Sequence, residues 1–197
     1  MLHTRRQAVL AAGAALFTGP ALALSPGLAP TPAQTEGPFY PRRMPDETDP
    51  DLTRNGGRVA KGELLLLGGR VLGVDGQPVA GAVVEIWQCD ADGRYLAAGA
   101  IDPGFQGIGR VKADAEGGYA FRTLKPAPYP GRAPHIHIKV YRPEAPTLTT
   151  QMLVAGDPRN DRDGVLRWLS PDERTRVLAK LERDGGAWKT RFDLVVA

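Results

Sequence analysis

The sequence predicts an all-β domain: a sandwich of mainly antiparallel strands, with an irregular N-terminal arm and one short C-terminal helix. Three observations lead there. The 24 glycines and 18 prolines recur between apolar runs instead of clustering in one tract, as they do in turn-rich β proteins. Roughly five to seven runs of strand-forming residues are separated by turn signals every eight to twelve residues or so. Hydrophobic residues make up 42% of the 197 and charged residues 24%, enough to bury a core without disulfides.

Taken in order, residues 1–23 have the form of an export signal. Arg5 and Arg6 precede a short apolar run, Ala8 to Phe17, and Ala21-Leu22-Ala23 is a small-x-small site. The run is too short to span a bilayer, so no stable membrane anchor is expected. The paired arginines are of the twin-arginine type, which predicts a periplasmic or secreted bacterial protein. An ordinary secretory signal that happens to carry two arginines is the alternative. Residues 24–62 are rich in proline, glycine and polar residues and read as an irregular arm. Within them, Thr31 to Pro41 carries prolines that block helix and inner-strand pairing.

Residues 63–197 form the sandwich domain. Glu63 to Leu72 is a strand candidate, and Asp75-Gly76 a hairpin signal. Val79 to Cys89 is a second strand with Val83, Glu85, Trp87 and Cys89 on one face. Asp92-Gly93 marks a turn before Tyr95. Glu116-Gly117-Gly118 turns into a strand from Tyr119 to Leu124. A proline-stiffened loop with Tyr129 leads to the stretch Arg132 to Tyr141, and Leu148 to Val154 and Thr190 to Val196 complete the strands. The helix is marked by Ser170 as N-cap, Pro171 at the first position and Glu173 for a capping box. Val177, Leu178 and Leu181 supply its apolar stripe, and Gly185-Gly186 stops it.

Apart from His3, His135 and His137 are the only histidines. A strand points residues i and i+2 to one face. His135, His137, Lys139 and Tyr141 therefore share a face, and Ile136, Ile138 and Val140 share the other, which reads as core. Two imidazoles on a rigid strand make half of a metal site; two histidines on a half-exposed strand are the plainer alternative. With no other histidine beyond His3 and a single Cys89, the common zinc sets are not available. A carboxylate would complete a ferrous site. Tyrosines would complete a ferric one, since phenolate is a hard anionic donor that a trivalent cation deprotonates. Formal charge is +3. Without Arg5 and Arg6 it is 23 basic against 22 acidic residues, and no basic stripe with interleaved aromatics remains to suggest a nucleic-acid partner.

Four separated segments, TPAQTEGPFYP from Thr31, GAVVEIWQCDADGRY from Gly81, PYPGRAPHIHIKV from Pro128 and LTTQMLVAGDP from Leu148, together resemble the intradiol ring-cleavage dioxygenases. The likeness is nearer to the protocatechuate 3,4-dioxygenases than to the catechol enzymes. It runs from about Thr31 to Asp163. The resemblance implies one non-haem Fe(III) per chain, held by Tyr95, Tyr129, His135 and His137. It implies Tyr129 as the displaceable ligand and proton acceptor, Arg132 as a stabiliser of developing negative charge, and Gln151 as a supporting residue. Trp87, Gly37, Pro38 and Tyr40 are implied to lie near the substrate. The partners implied are a small catechol-type diol and O2. Cleavage between the two hydroxylated carbons would give a muconate-type dicarboxylate, and a homo-oligomer is compatible. Many relatives read R-P-x-H-I-H where this chain has Arg132-Ala133-Pro134-His135, and Gly131 stands where protocatechuate enzymes often carry a bulky aromatic. Other readings of the same residues are an exported binding module for aromatic or glycan ligands, a zinc hydrolase, and a purely structural sandwich. Tyr119 and Tyr141 read as packing residues, and Tyr40 as a weaker rival to Tyr95 for the metal.

Overall fold

The computed structural model describes residues 27–142 and 145–197. The export-signal expectation for residues 1–23 falls outside them. No helix among the described residues is long and apolar enough to cross a membrane.

The strands run β1 Arg54–Asn55, β2 Arg58–Val59, β3 Leu64–Gly73, β4 Val83–Trp87, β5 Ile108–Lys112, β6 Gly118–Leu124, β7 His135–Arg142, β8 Ala145–Val154, β9 Leu178–Ala179, β10 Glu182–Asp184, β11 Ala187–Arg191 and β12 Leu194–Val196, with one α-helix, α1, at Pro171–Thr175. β1 and β2 form a small ribbon in the otherwise irregular arm. In one large sheet, β3 pairs with β6 on one side and with β11 and β12 on the other, and β10 extends the edge. The other sheet has the order β5-β4-β7-β8-β9.

Leu65, Leu67, Val71 and Phe121 from the first sheet share one buried cluster with Val84, Ile86, Ile136, Ile138, Val140 and Met152 from the second. The two sheets therefore pack face to face, and each of these side chains contributes about 1.5–3 kcal/mol of transfer free energy. The alternation expected for the histidine strand holds: its isoleucines and Val140 fill the sandwich, so the histidines stand on the face turned away from it.

Several local expectations are corrected. The helix marked by Ser170 does form, with both halves of the capping box present, but it ends at Thr175. Val177, Leu178 and Ala179 are drawn onto the sheet edge instead. The Leu153 N–H donates to the Val177 carbonyl and the Ala155 N–H to the Ala179 carbonyl, each at 2.8 Å. Unsatisfied backbone at an edge outweighs a weak helical preference. The expected strand from Val79 to Cys89 shortens to Val83–Trp87, because Gly81 sits at φ +74° in the turn before it. The strand expected at Thr190 to Val196 is two strands. Phe192 donates to the Gly68 carbonyl and Asp193 accepts from the Arg70 N–H, which breaks the run. β5 was not foreseen. The arm is not loose: the Thr31 N–H donates to Val195 and the Gln34 N–H to Thr149.

Candidate metal centre

Strand register aligns the site. Trp87 on β4 and Gln151 on β8 both lie opposite His137 on β7. Directly opposed residues share a face, so a row Trp87–His137–Gln151 crosses the outer side of the sheet. The Trp87 ring stacks on His137 at 4.6 Å between centroids and 11° between planes. The arm and the loops before β5 and β7 roof this row, and His135 and His137 are only 0% and 2% exposed.

His135 Nδ1 lies 2.7 Å from the Ala133 carbonyl. A carbonyl only accepts, so the proton is on Nδ1 and Nε2 is bare. That Nε2 accepts from the Tyr95 hydroxyl at 3.2 Å and stands 3.1 Å from His137 Nε2. His137 Nδ1 is buried with no partner. The Tyr129 ring lies 5.6 Å from that of Tyr95 and 5.5 Å from that of His135. Burial, with the Arg132 charge second, lowers the His135 pKa to about 4. Burial first, then His135 and Arg132, lower His137 as well. Both imidazoles are thus neutral, the form that ligates a metal. Burial also pushes the Tyr95 phenol well above its ordinary value, with Tyr129 adding to the effect, so only a strong adjacent cation would ionise it.

The donor set fits a metal. Bonds of about 2.1 Å at right angles place neighbouring donors about 3 Å apart, close to the spacings around His135 Nε2. Among the described residues no group of three or more His, Cys, Asp or Glu side chains could hold a metal. The phenols of Tyr95 and Tyr129 are the anionic donors that lie beside this histidine pair. The buried carboxylate of Asp163 is turned to Arg132.

Arg132 is held at three points. Nε donates to Asp163 Oδ2 at 2.9 Å, Nη1 to the Tyr129 hydroxyl at 3.3 Å, and Nη2 to Gln151 Oε1. Gln151 in turn donates to the Thr35 carbonyl at 3.0 Å, tying the arm to the site. Burial opposes ionisation of Asp163, but the Ala133 N–H and the Arg132 guanidinium outweigh it and hold its carboxyl below the ordinary range.

The arm residues divide. Gly37, at φ +75°, lies against His137, where an added Cβ would come within 3.6 Å of the ring. Pro38 is exposed. Tyr40 packs edge-on against Trp87 at 5.0 Å, under Lys139, and bonds the Tyr141 hydroxyl at 3.1 Å. Its hydroxyl is thus directed to Tyr141 and not to the histidine pair. Tyr119 donates to the Phe192 carbonyl, and it and Tyr141 are packing residues. Two residues at the site had not been singled out. Phe39 stacks on Tyr95 at 4.6 Å and 10°; its only signal was its place between Pro38 and Tyr40. Asp163 carries no local signal, being one of three aspartates in a short polar stretch.

Comparison with known proteins identifies the family. The Dioxygenase_C model, a dioxygenase family, matches residues 35–195. The chain is 35% identical over 178 residues to the protocatechuate 3,4-dioxygenase beta chain of Burkholderia cepacia, covering 81% of this chain and 76% of that one. It is also 35% identical over 179 residues to the 6-chlorohydroxyquinol 1,2-dioxygenase of Cupriavidus pinatubonensis, covering 81% of this chain but 62% of the relative. Among solved structures, the dioxygenase domain of a dioxygenase–carbohydrate-binding fusion from Streptomyces sp. SirexAA-E superposes with a TM-score of 0.69 at 32% identity, over 85% of this chain and 98% of that one. The fold and these similarities define an all-β dioxygenase. The chain belongs to the intradiol ring-cleavage dioxygenase family, whose members generally depend on non-haem iron.

Proposed function

We propose that this enzyme binds one non-haem Fe(III) through Tyr95, Tyr129, His135 and His137, and cleaves a catechol-type diol between its two hydroxylated carbons with O2 to give a muconate-type dicarboxylate. The observation that carries the reading is that the Tyr95 hydroxyl and His137 Nε2 both lie within 3.2 Å of His135 Nε2, with the Tyr129 ring beside them. When bound, the iron would supply Lewis acidity that makes the bound diol electron-poor and oriented for reaction with O2.

The chain's own residues do the rest. The Ala133 carbonyl fixes the His135 tautomer and keeps its Nε2 free. Phe39 and Trp87 flank Tyr95 and His137 with apolar rings and exclude water. Tyr129 is the residue that yields its place to the diol, and its hydroxyl oxygen receives a substrate proton. Arg132, 3.3 Å from that oxygen, stabilises negative charge there, in the manner of preorganised donors. Asp163 and Gln151 prevent the guanidinium from swinging away. We extend the proposal to export before action, on the strength of Arg5, Arg6 and the Ala21–Ala23 site; replacement of both arginines by lysine should retain the protein in the cytoplasm on fractionation.

The deciding experiment is incubation of iron-loaded protein with catechol, protocatechuate and hydroxyquinol in air, with products identified by mass and ultraviolet spectrum. The expected product is a cis,cis-muconate-type dicarboxylate carrying both atoms of O2. A yellow semialdehyde, which arises from cleavage beside the diol, would overturn the intradiol assignment.

A further inference from the structure

We propose that Lys139 is a positioning residue for the reaction centre: its ammonium clamps both ends of the arc formed by residues 36–40, and through that arc it fixes His137 and Tyr95. The inference rests on the function proposed above and adds a residue to the same site.

Lys139 lies two residues beyond His137 on β7, and so on the same face of the sheet. Its side chain is only 11% exposed, and a desolvated ammonium needs a counter-charge. Glu85, opposite Lys139 in register, is taken by Arg110. The counter-charge comes from the arm instead, where the Glu36 carboxylate pairs with Lys139 Nζ. The same Nζ stands 3.5 Å from the centroid of the Tyr40 ring and 5.7 Å from that of Trp87, where aromatic faces attract a cation. Glu36 and Tyr40 are the two ends of one arc, and a single cation holds them both. Tyr40 is bonded to Tyr141 as well, so the Glu36 end depends the more on Lys139. Gln34 and Thr35 are tied to β8 at Thr149 and Gln151; they hold the approach to the arc and not the arc itself.

The residues inside the arc touch the metal donors. Gly37 lies against the His137 ring, and Phe39 stacks on Tyr95. His137 comes from β7 and Tyr95 from the loop before β5, and the arc spans the two. The histidines differ in what orients them. His135 Nδ1 is held by the Ala133 carbonyl, whereas His137 Nδ1 has no partner among the described residues. The orientation of His137 therefore rests on its stack with Trp87 and on its contact with the arc. Trp87 Nε1 is likewise buried without a partner among the described residues, so the indole too is held by packing, with Tyr40 against it at 5.0 Å. Ligating histidines are commonly oriented by a hydrogen bond at the second ring nitrogen. At His137 packing under one ammonium takes that place.

The test uses the iron-loaded full-length protein. Lys139→Met keeps the stem and removes the charge, and Glu36→Gln removes the other half of the pair. Each should speed iron release to a chelator and lower kcat by about 10–100-fold, the range for loss of a group that orients a metal ligand, with KM changed far less. Lys139→Arg, which keeps a cation over the aromatic rings, should restore most of both. In the metal-free proteins, hydrogen exchange should quicken at residues 34–40 in the Met and Gln variants and keep the wild-type rate in β3 and β6. Iron release and kcat at wild-type values in Lys139→Met overturn the assignment even where exchange in the arm has quickened, because the clamp would then hold the arm without placing the donors. Exchange that quickens equally in β3 and β6 overturns it too, since the loss would be one of global stability. So does a Lys139→Arg variant as defective as Lys139→Met, which would show that the charge is not what positions the donors. If the wild type consumes no catechol, the proposed reaction fails, and iron release together with exchange still decides the clamp.

Discussion

Strand β7 presents Ile136, Ile138 and Val140 to one side and His135, His137, Lys139 and Tyr141 to the other, and the two sides are buried by different means. The inner side is covered by a second sheet, and any residue of suitable volume serves there. The outer side is equally dry at the histidines, but its cover consists of an arm and two loops. Those segments bring hydroxyls and a guanidinium to the same place as the two imidazoles. Apolar burial on the inner side sets stability. Polar convergence on the outer side leaves donors facing one another, which contributes little to stability and suits a metal. The lesson is that one strand can separate holding the fold from holding the chemistry by a single residue of register.

Substitutions on the two sides should therefore fail differently. The largest effect is expected from His135→Ala or His137→Ala: loss of bound iron, loss of the red-brown tyrosinate-to-iron colour and turnover at background, with circular dichroism close to wild type. Retention of iron by elemental analysis would break the comparison. On the inner side, Ile138→Ala should cost about 2–5 kcal/mol in denaturant unfolding, while the protein that remains folded binds iron in the wild-type ratio. Arg132→Ala should keep the iron and its colour and lower kcat by about 10²–10³-fold, the range for removal of one preorganised donor. Asp163→Asn, which retains an acceptor for Arg132 but removes the charge, should cost less than this, with the loss in kcat and not in iron content. Equal loss of metal in the Arg132 and histidine variants would show that the division of roles is wrong. The smallest effect is expected from Tyr40→Phe, which removes the bond to Tyr141 and should cost about 1 kcal/mol in stability, with iron content unchanged.

Much of the outer side was legible in the chain because its signal is local. His135 and His137 declare their shared face by spacing alone, and Tyr129, Arg132 and the histidines fall within nine residues. Tyr95 and Gln151 stood out because of the motifs around them. Phe39 and Asp163 did not, since nothing in their immediate sequence marks a stacking partner or a buried counter-ion. The stripe Val177, Leu178 and Leu181 was misleading for a related reason. Its spacing suits a helix, but the edge of β8 offers backbone partners that no local pattern records.

By itself the sequence determined the all-β class, the turns at its glycines, the Ser170 cap and the two-sided character of the histidine strand. Each of these follows from geometry within a few residues of chain, where period and propensity operate. Tertiary structure alone decided that Gln34 would bond Gln151 across 117 residues, that Asp163 would turn to Arg132 and not to the histidines, and that Tyr95 would approach His135 from a loop 40 positions away. Such meetings depend on how whole sheets and loops pack. The buried polar groups involved must find partners or carry a desolvation cost, and which partner is within reach is fixed only once the two sheets have closed on Ile136, Ile138 and Val140.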